Sequence, residues 1–82
     1  MNGSLAELSE ISLPKRIGQA LRYIRESRGL DQGELAKHGH VNKRYISELE
    51  SGRYEPKFSS IYKYLRAAGA DWSDFAEEMG WL

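Results

Sequence analysis

The stretch QGELAKHGHVNKRYISELE, residues 32–50, decides how this chain folds. Its apolar residues fall into two short groups, at positions 35–36 and 46–49, on either side of a tight junction at positions 39–41. Each group is too short for an independent helix, but two helices that meet at a steep angle can bury one seam between them. The small side chain of Ala36 lets the second helix approach closely. The stretch therefore predicts a pair of packed helices joined by a tight turn.

The second helix of this pair is predicted to start after Asn42, a strong N-cap type, and to stop at Gly52. Ile46 and Leu49 fix one of its faces inward. The opposite face, near the N-terminal end, carries Lys43, Arg44, Ser47 and Glu48. A rigidly held helix with long polar side chains in its first turns has what is needed to read a DNA major groove.

Residues within positions 17–69, roughly two thirds of the chain, carry a resemblance to a known family. They are Leu21, Arg22, Arg25, Gly29, Leu30, Gln32, Leu35, Ala36, Val41, Ile46, Ser47, Leu49, Glu50, Gly52 and Pro56. Their spacing resembles the helix-turn-helix domain of the phage-repressor/Cro type, the XRE family, which is widespread in small bacterial and phage regulators. The resemblance implies an all-α fold, a compact bundle of five helices with a lambda-repressor-like DNA-binding domain. The run from Tyr45 to Gly52 is also similar to restriction-modification controller proteins, which are small dimers of this fold.

The turn between the two helices departs from the family pattern. The family usually has glycine where this chain has His40, and Gly39 stands one place earlier. A residue in that position is expected at positive φ, which costs a non-glycine residue free energy, although histidine tolerates it better than most. We therefore expect a turn that is shifted or slightly strained.

The first two helices are predicted from apolar spacing and capping residues. Ser12 can cap a first helix that takes in Pro14 and runs to about Ser27. Its inward stripe is Ile17, Ala20, Leu21 and Ile24. Asp31 and Glu34 have the spacing of a capping box for the next helix along the chain, which is the first of the pair described above.

A fourth and a fifth helix complete the predicted bundle. The inward face of the fourth is predicted to comprise Phe58, Ile61, Tyr62, Leu65 and Ala68. Tyr64 falls outside this face. The fifth helix is capped by Asp71, and its apolar stripe is Trp72, Phe75, Ala76 and Met79. The chain thus divides into residues 1–13, an N-terminal arm or short helix, and residues 14–82, a helix-turn-helix DNA-binding domain with a C-terminal dimerisation helix.

Length and charge bound the choice of partner. The 82 residues allow one small domain of marginal stability, so burial at a dimer contact would help. The formal net charge is zero, but residues 14–57 hold ten Lys and Arg against six Asp and Glu. The segments 1–13 and 58–82 each carry a net charge of −2. This asymmetry decides where phosphate is attracted, and it predicts modest non-specific affinity for DNA.

Several classes of function are not expected. The chain has no cysteine, which excludes disulfides and thiolate metal sites. His38 and His40 are two residues apart, but a structural zinc needs four ligands and no suitable carboxylate pair lies nearby. No nucleophile–base set or phosphate-cradling loop is visible, so we expect no metal, no cofactor and no enzymatic activity. Without an apolar run of membrane-spanning length, we expect a cytoplasmic protein.

The side chains expected to contact base edges are Asn42, Lys43, Arg44, Ser47 and Glu48. Arginine, and less often lysine, donates to O6 and N7 of guanine, and such a contact discriminates between bases by about 1–3 kcal/mol. The side chain of Asn42 can also cap the helix, so capping and DNA contact compete for it. Glu48 either accepts from cytosine N4 or orients Arg44 through their i, i+4 spacing, and both roles are open.

A second group is expected to contact the sugar-phosphate backbone: Gln32, Tyr45, Arg53, Tyr54 and Lys57. Gln32 qualifies because N–H groups at a helix start can hold a phosphate. The alternative for Tyr45 is simple ring packing, and for the loop residues it is a solvated charge. The resemblance further implies that Arg25 pairs with Glu50, which would fix the orientation of the helices.

Trp72, Phe75 and Met79 stand at helical spacing and are most simply core residues. Trp81 and Leu82 exceed what so small a domain can cover, and an apolar patch of this size commonly marks a partner surface. The expected dimer interface comprises Tyr64, Trp72, Phe75, Met79, Trp81 and Leu82. The leading interpretation is a sequence-specific transcriptional regulator, repressor or activator, that binds double-stranded DNA as a homodimer on a pseudo-palindromic operator. The alternative is a protein-interaction module or antitoxin-like protein that keeps the fold and binds another protein.

Overall fold

The computed structural model describes residues 11–82, and within that range the chain forms five helices and no strand. They are α1 (Leu13–Ser27), α2 (Gln32–Gly39), α3 (Lys43–Ser51), α4 (Phe58–Ala68) and α5 (Trp72–Glu78). The expected all-α bundle is therefore confirmed. None of these helices has the length and apolar character needed to cross a membrane. The arm or short helix expected at residues 1–13 lies almost entirely outside the described residues.

Four of the five helices begin at a side chain that accepts from the first-turn backbone. Ser12 caps α1, and Asn42 caps α3 by accepting from the N–H of Tyr45 at 2.8 Å. Asp31 and Asp71 open α2 and α5 with complete capping boxes. These caps satisfy backbone donors that the helix itself leaves unpaired, so a local residue choice determines where each of these four helices starts.

The core is formed by the apolar stripes of all five helices. Its largest fully buried side chains are Leu21, Ile24, Leu35, Ile46, Tyr64 and Leu65. Helix α1 packs against α3 and α5, while α2 packs against α3 and α4. Where α1 crosses α3, a Cβ at Gly18 would overlap the carbonyl group of Glu50. Glycine at this position is therefore what allows α1 to lie directly against the end of α3.

The predicted rotation of α4 about its axis was wrong for its aromatic residues. Tyr64 was predicted outside but is only 2% exposed, whereas Phe58, predicted inside, is 73% exposed, and Tyr62 also faces out. Ile61 and Leu65 are buried as predicted, and apolar spacing around them is compatible with either rotation. The hydroxyl of Tyr64 finds acceptors inside the domain, which lets this polar aromatic residue take the interior position.

The turn between α2 and α3 has the conformation expected from the resemblance. His40 caps the C-terminus of α2 with φ 56°, in the left-handed region, and its N–H donates to the carbonyl of Lys37. Gly39 is still helical, and a Cβ there would lie 3.2 Å from Cβ of Ala67. The glycine thus serves the close approach of α2 to α4, and the histidine adopts the conformation that glycine usually supplies.

Candidate nucleic-acid interface

The N-terminal half of α3 presents a polar, cationic surface. Asn42, Lys43, Arg44 and Ser47 are exposed, and the inward stripe of Ile46 and Leu49 anchors the helix in the core. The cap uses only Oδ1 of Asn42, so its Nδ2 amide can still donate outward. The structure therefore brings four of the five expected base-contacting side chains to one exposed surface.

Glu48, the fifth of these residues, is engaged with Arg44. Nε of Arg44 lies 3.2 Å from Oε2 of Glu48, and the side chain of Arg44 is 84% exposed. An exposed pair of this kind contributes little to stability, and it favours one direction of the arginine side chain without fixing it there. The contact uses Nε and leaves the terminal Nη groups of Arg44 for another acceptor. This geometry agrees with the orienting role of Glu48 rather than with a carboxylate that points away from the arginine.

The opposite end of α3 is held by a buried charge pair. Nε of Arg25 donates to Oε2 of Glu50 at 2.7 Å, and Nη2 donates to Oε1 at 3.0 Å. Nη1 of the same arginine donates to the carbonyl of Leu30 at 2.7 Å. Arg25 and Glu50 thus form the pair that the resemblance implied, in a bidentate geometry that adds directional specificity.

Two further side chains complete this network, and the sequence analysis did not place either of them there. Nε2 of Gln32 donates to Oε1 of Glu50 at 3.0 Å. The hydroxyl of Tyr64 lies within hydrogen-bond reach of the Glu50 carboxylate and of the Leu21 carbonyl, 3.0 Å away. The carboxylate of Glu50 therefore accepts from α1, α2 and α4 at once. The polar type of Gln32 was visible in the sequence, but its direction toward Glu50 depends on how α2 meets α3.

The network keeps its members in fixed protonation states. Burial raises the pKa of Glu50, but the hydrogen bonds from Arg25, Tyr64 and Gln32 together outweigh it and hold the pKa below its ordinary value. The hydrogen bond to Glu50 raises the pKa of Arg25 against the opposing effect of burial. Burial, reinforced by the Glu50 carboxylate, raises the pKa of Tyr64. At neutral pH the pair is charged, and the tyrosine is a neutral donor.

The residues expected at the sugar-phosphate backbone fall into two groups. Arg53, Tyr54 and Lys57 are exposed in the loop between α3 and α4 and at its junction with α4. Gln32 and Tyr45 are engaged within the domain instead, since the hydroxyl of Tyr45 donates to Oγ of Ser60 at 2.5 Å. This contact turns the Tyr45 hydroxyl toward Ser60 on α4. The exposed loop is thus the better candidate for backbone contact.

The expected dimer interface requires a correction. Tyr64, Phe75 and Met79 are buried in the core of the single chain, so they are unavailable to a partner in this conformation. Trp72 is partly buried, and Trp81 and Leu82 are exposed. All three residues lie on the inward faces of their helices. So small a domain needs their side chains to complete its own core.

Comparisons with known proteins give a consistent result. Residues 21–75 match the helix-turn-helix family HTH_3. The chain is 32% identical over 53 residues to the immunity repressor protein of Bacillus phage phi105, covering 65% of this chain and 37% of that protein. It is 41% identical over 54 residues to the competence pilus inhibition repressor of Acinetobacter baylyi, covering 63% and 46%. The chain therefore spans less than half the length of these two curated relatives.

A solved structure is similar over most of its length. The crystal structure of the clp gene regulator ClgR from C. glutamicum matches with a TM-score of 0.77 and 35% identity, covering 84% of this chain and 90% of that one. None of these three proteins is described as a restriction-modification controller, so that finer resemblance stays a prediction.

Proposed function

Because this chain belongs to the helix-turn-helix family, we propose that it is a sequence-specific DNA-binding transcriptional regulator that reads the major groove with α3. One observation carries the proposal. The N-terminal half of α3 exposes Lys43, Arg44 and Ser47, while the Glu50 network and the apolar stripe hold the rest of the helix. A helix fixed from behind and cationic in front loses little conformational freedom when it enters a groove.

Each exposed side chain has a role in this proposal. The Nη groups of Arg44, directed by Glu48, donate to O6 and N7 of a guanine, and Lys43 contacts a neighbouring base or phosphate. Ser47 and the amide of Asn42 supply shorter contacts. The exposed loop residues Arg53, Tyr54 and Lys57 meet the sugar-phosphate backbone beside the groove and set the register of the helix.

The regulator is proposed to act as a homodimer on a pseudo-palindromic operator. A two-fold dimer places two copies of α3 in successive major grooves about 34–36 Å apart. Since the whole chain carries no net charge, bulk attraction to phosphate should contribute little affinity, and the contacts of α3 in the groove supply the discrimination between sequences. A DNA partner implies a cytoplasmic location, and we expect no enzymatic activity.

Selection from fragments of the source genome tests the proposal. The wild-type protein is incubated with sheared DNA at about 50 mM salt, and the retained fragments are sequenced and assayed by mobility shift. We expect a shared motif, with binding weakened by Lys43→Ala and by Arg44→Ala. Arg22→Ala is a matched control, because Arg22 is also an exposed helical arginine with a glutamate four residues on, Glu26, at 3.1 Å.

The outcomes separate the two function classes. A common motif whose guanine preference is lost in Arg44→Ala but kept in Arg22→Ala supports the regulator. No retention of any fragment at about 50 mM salt would contradict the regulator and favour the protein-interaction module, to which the exposed ring of Phe58 also points.

A further inference from the structure

One side-chain contact closes the loop between α3 and α4. The hydroxyl of Tyr45, in the first turn of α3, donates to Oγ of Ser60, in the first turn of α4, at 2.5 Å. The contact joins residues that are 15 positions apart in the chain, and it encloses the exposed residues Arg53, Tyr54 and Lys57. The ring of Tyr45 is partly buried against the core, so the contact ties the end of the loop to the body of the domain.

Helix α4 begins without the cap that secures the other helix starts. Among the five helices of residues 11–82, it alone has no side chain that accepts from its first-turn backbone. The residue at its N-cap position is Lys57, and an ammonium group cannot accept a hydrogen bond. The bond from Tyr45 to Ser60 therefore attaches to α3 a helix start that lacks a cap of its own.

The other end of the loop is held by close packing of the backbone. Gly52 ends α3 with φ 70°, and a Cβ at this position would lie only 2.6 Å from Cα of Lys15. The start of α1 thus lies directly against the residue that precedes Arg53. The loop is held at its beginning by α1 and at its end by Tyr45.

Tyr54, in the middle of the loop, lies close to α3. Partial burial raises the pKa of the Tyr54 hydroxyl above its ordinary value of 10.0, and the nearby Glu48 and Tyr45 raise this pKa further. Both of these residues belong to α3, and Glu48 is the partner of Arg44. The loop therefore folds back toward the part of α3 that is proposed to read bases.

We propose that Tyr45 is a positioning residue for DNA binding: through Ser60 it holds the loop of residues 52–57 where Arg53 and Lys57 meet the sugar-phosphate backbone. The inference rests on the proposed function and adds to it a residue that acts on DNA through the loop. It gives Tyr45 this indirect role in place of the direct phosphate contact expected from the sequence. A loop that is held before binding loses less conformational freedom on binding, so its contacts contribute more to affinity.

Trypsin cleavage after Arg53 and Lys57 tests the tether in the full chain without DNA. Tyr45→Phe removes the hydroxyl and keeps the ring, and Ser60→Ala removes the acceptor. Loss of one hydrogen bond favours the open loop, so we expect either variant to raise the initial rate of cleavage in the loop by about twofold to tenfold. Circular dichroism verifies that each variant is folded.

Tyr62→Phe is the matched control for these substitutions. Tyr62 is an exposed residue of α4, and its hydroxyl accepts a long hydrogen bond of 3.4 Å from the exposed Arg66. Removal of this hydroxyl leaves the loop and its attachments in place. The rate of cleavage in the loop should therefore equal that of the wild type.

A mutant cycle on the selected DNA tests the role in binding. Mobility shifts give the dissociation constants of the wild type, Tyr45→Phe, a loop variant with Arg53→Ala and Lys57→Ala, and their combination. We expect Tyr45→Phe to raise the dissociation constant by about twofold to tenfold in the wild type. It should have no further effect in the loop variant, because the contacts that it positions are then gone. A general loss of stability would instead weaken binding in both backgrounds alike.

The outcomes separate this inference from the proposed function. Equal cleavage rates in the wild type, Tyr45→Phe and Ser60→Ala would overturn the inference, and so would equal effects of Tyr45→Phe in both backgrounds of the cycle. Binding that is weakened by Tyr45→Phe but not by Ser60→Ala would also overturn it, since the tyrosine would then contact DNA itself. These results leave the proposed function intact. A wild type that retains no DNA fragment contradicts the proposed function, and this inference with it, whatever the cleavage rates.

Discussion

Nε of Arg25 lies 2.7 Å from Oε2 of Glu50, and this contact joins the last turn of α1 to the last turn of α3. Both side chains are almost fully buried, in contrast to the exposed pair of Arg22 and Glu26 on α1. The same two residue types therefore occur in this small domain in two different environments. Breaking the buried pair should therefore cost more in the free energy of unfolding than breaking the exposed pair.

Removal of the buried carboxylate should be strongly destabilising. Glu50→Ala leaves the charge of Arg25 buried without its partner, and we expect a loss of about 3–5 kcal/mol in the free energy of unfolding. Arg22→Ala, which breaks the exposed pair and leaves the contacts of Arg25 in place, should cost about 0–1 kcal/mol. Urea denaturation followed by circular dichroism measures both, and equal costs would contradict the role assigned to the buried pair.

Acid should weaken the fold through the same carboxylate. Because the pKa of Glu50 lies below its ordinary value near 4.5, its contribution to stability is complete above that pH and is lost as the pH falls through the lowered value. Urea unfolding at a series of acidic pH values should show this decline. In Glu50→Gln the slope below pH 4.5 should be smaller, and an unchanged slope would assign the acid sensitivity to other carboxylates.

The stability of the fold at alkaline pH should depend on Tyr64. Tyr64→Phe removes a donor that lies between Glu50 and the Leu21 carbonyl, and we expect a cost of about 1–3 kcal/mol. Since the pKa of Tyr64 is raised in the folded state, the wild type should lose stability as the pH rises above the ordinary value of 10.0, where only the unfolded chain releases the proton. That part of the alkaline decline should be missing from the phenylalanine variant.

The left-handed residue in the turn offers a test with opposite signs at neighbouring positions. His40→Gly should stabilise the domain by about 0.5–1 kcal/mol, because glycine adopts φ near 56° without the steric cost that a Cβ carries. Lys37→Gly, at an exposed position within α2, should instead destabilise by about 0.5–1 kcal/mol. Thermal unfolding compares the two. A destabilised His40→Gly would mean that the histidine side chain makes a contribution beyond its backbone conformation.

Within the proposed function, Arg44 and Glu48 should act as a unit. Once a bound DNA sequence is selected, Glu48→Ala should reduce discrimination at the guanine that Arg44 reads, and it should have no such effect in an Arg44→Ala background. Mobility shifts with the matched and the substituted base give the four values of the cycle. If the two substitutions are additive, Glu48 contacts DNA or solvent independently of the arginine.

Helix starts and the fold could be predicted because each depends on local chemistry. Asn42 and Asp31 satisfy donors three residues away, and this can be read from spacing alone. The face of α4 that points inward could not be predicted from spacing alone. Residues 61 and 65 belong equally well to an apolar stripe that includes Phe58 and to one that includes Tyr64. The choice between Phe58 and Tyr64 depended on acceptors supplied by α1 and α3, which come near α4 only in the folded chain.

The candidate site shows the same division. The exposure of Lys43 and Arg44 could be predicted from the sequence because an exposed helix start is a local property. Gln32 was assigned to phosphate, but its amide turns inward to Glu50. The approach of α2 to α3 sets that direction, and no pattern along the chain encodes it.

The way α3 is held also has a consequence for protein engineering. Its attachment points, Ile46, Leu49 and Glu50, are different positions from its outward ones, 43, 44 and 47. Variants randomised at the outward positions should therefore still fold. They should differ from one another in the DNA sequence that they bind. The DNA specificity of the domain could then be changed by substitutions on its surface, with its core left unaltered.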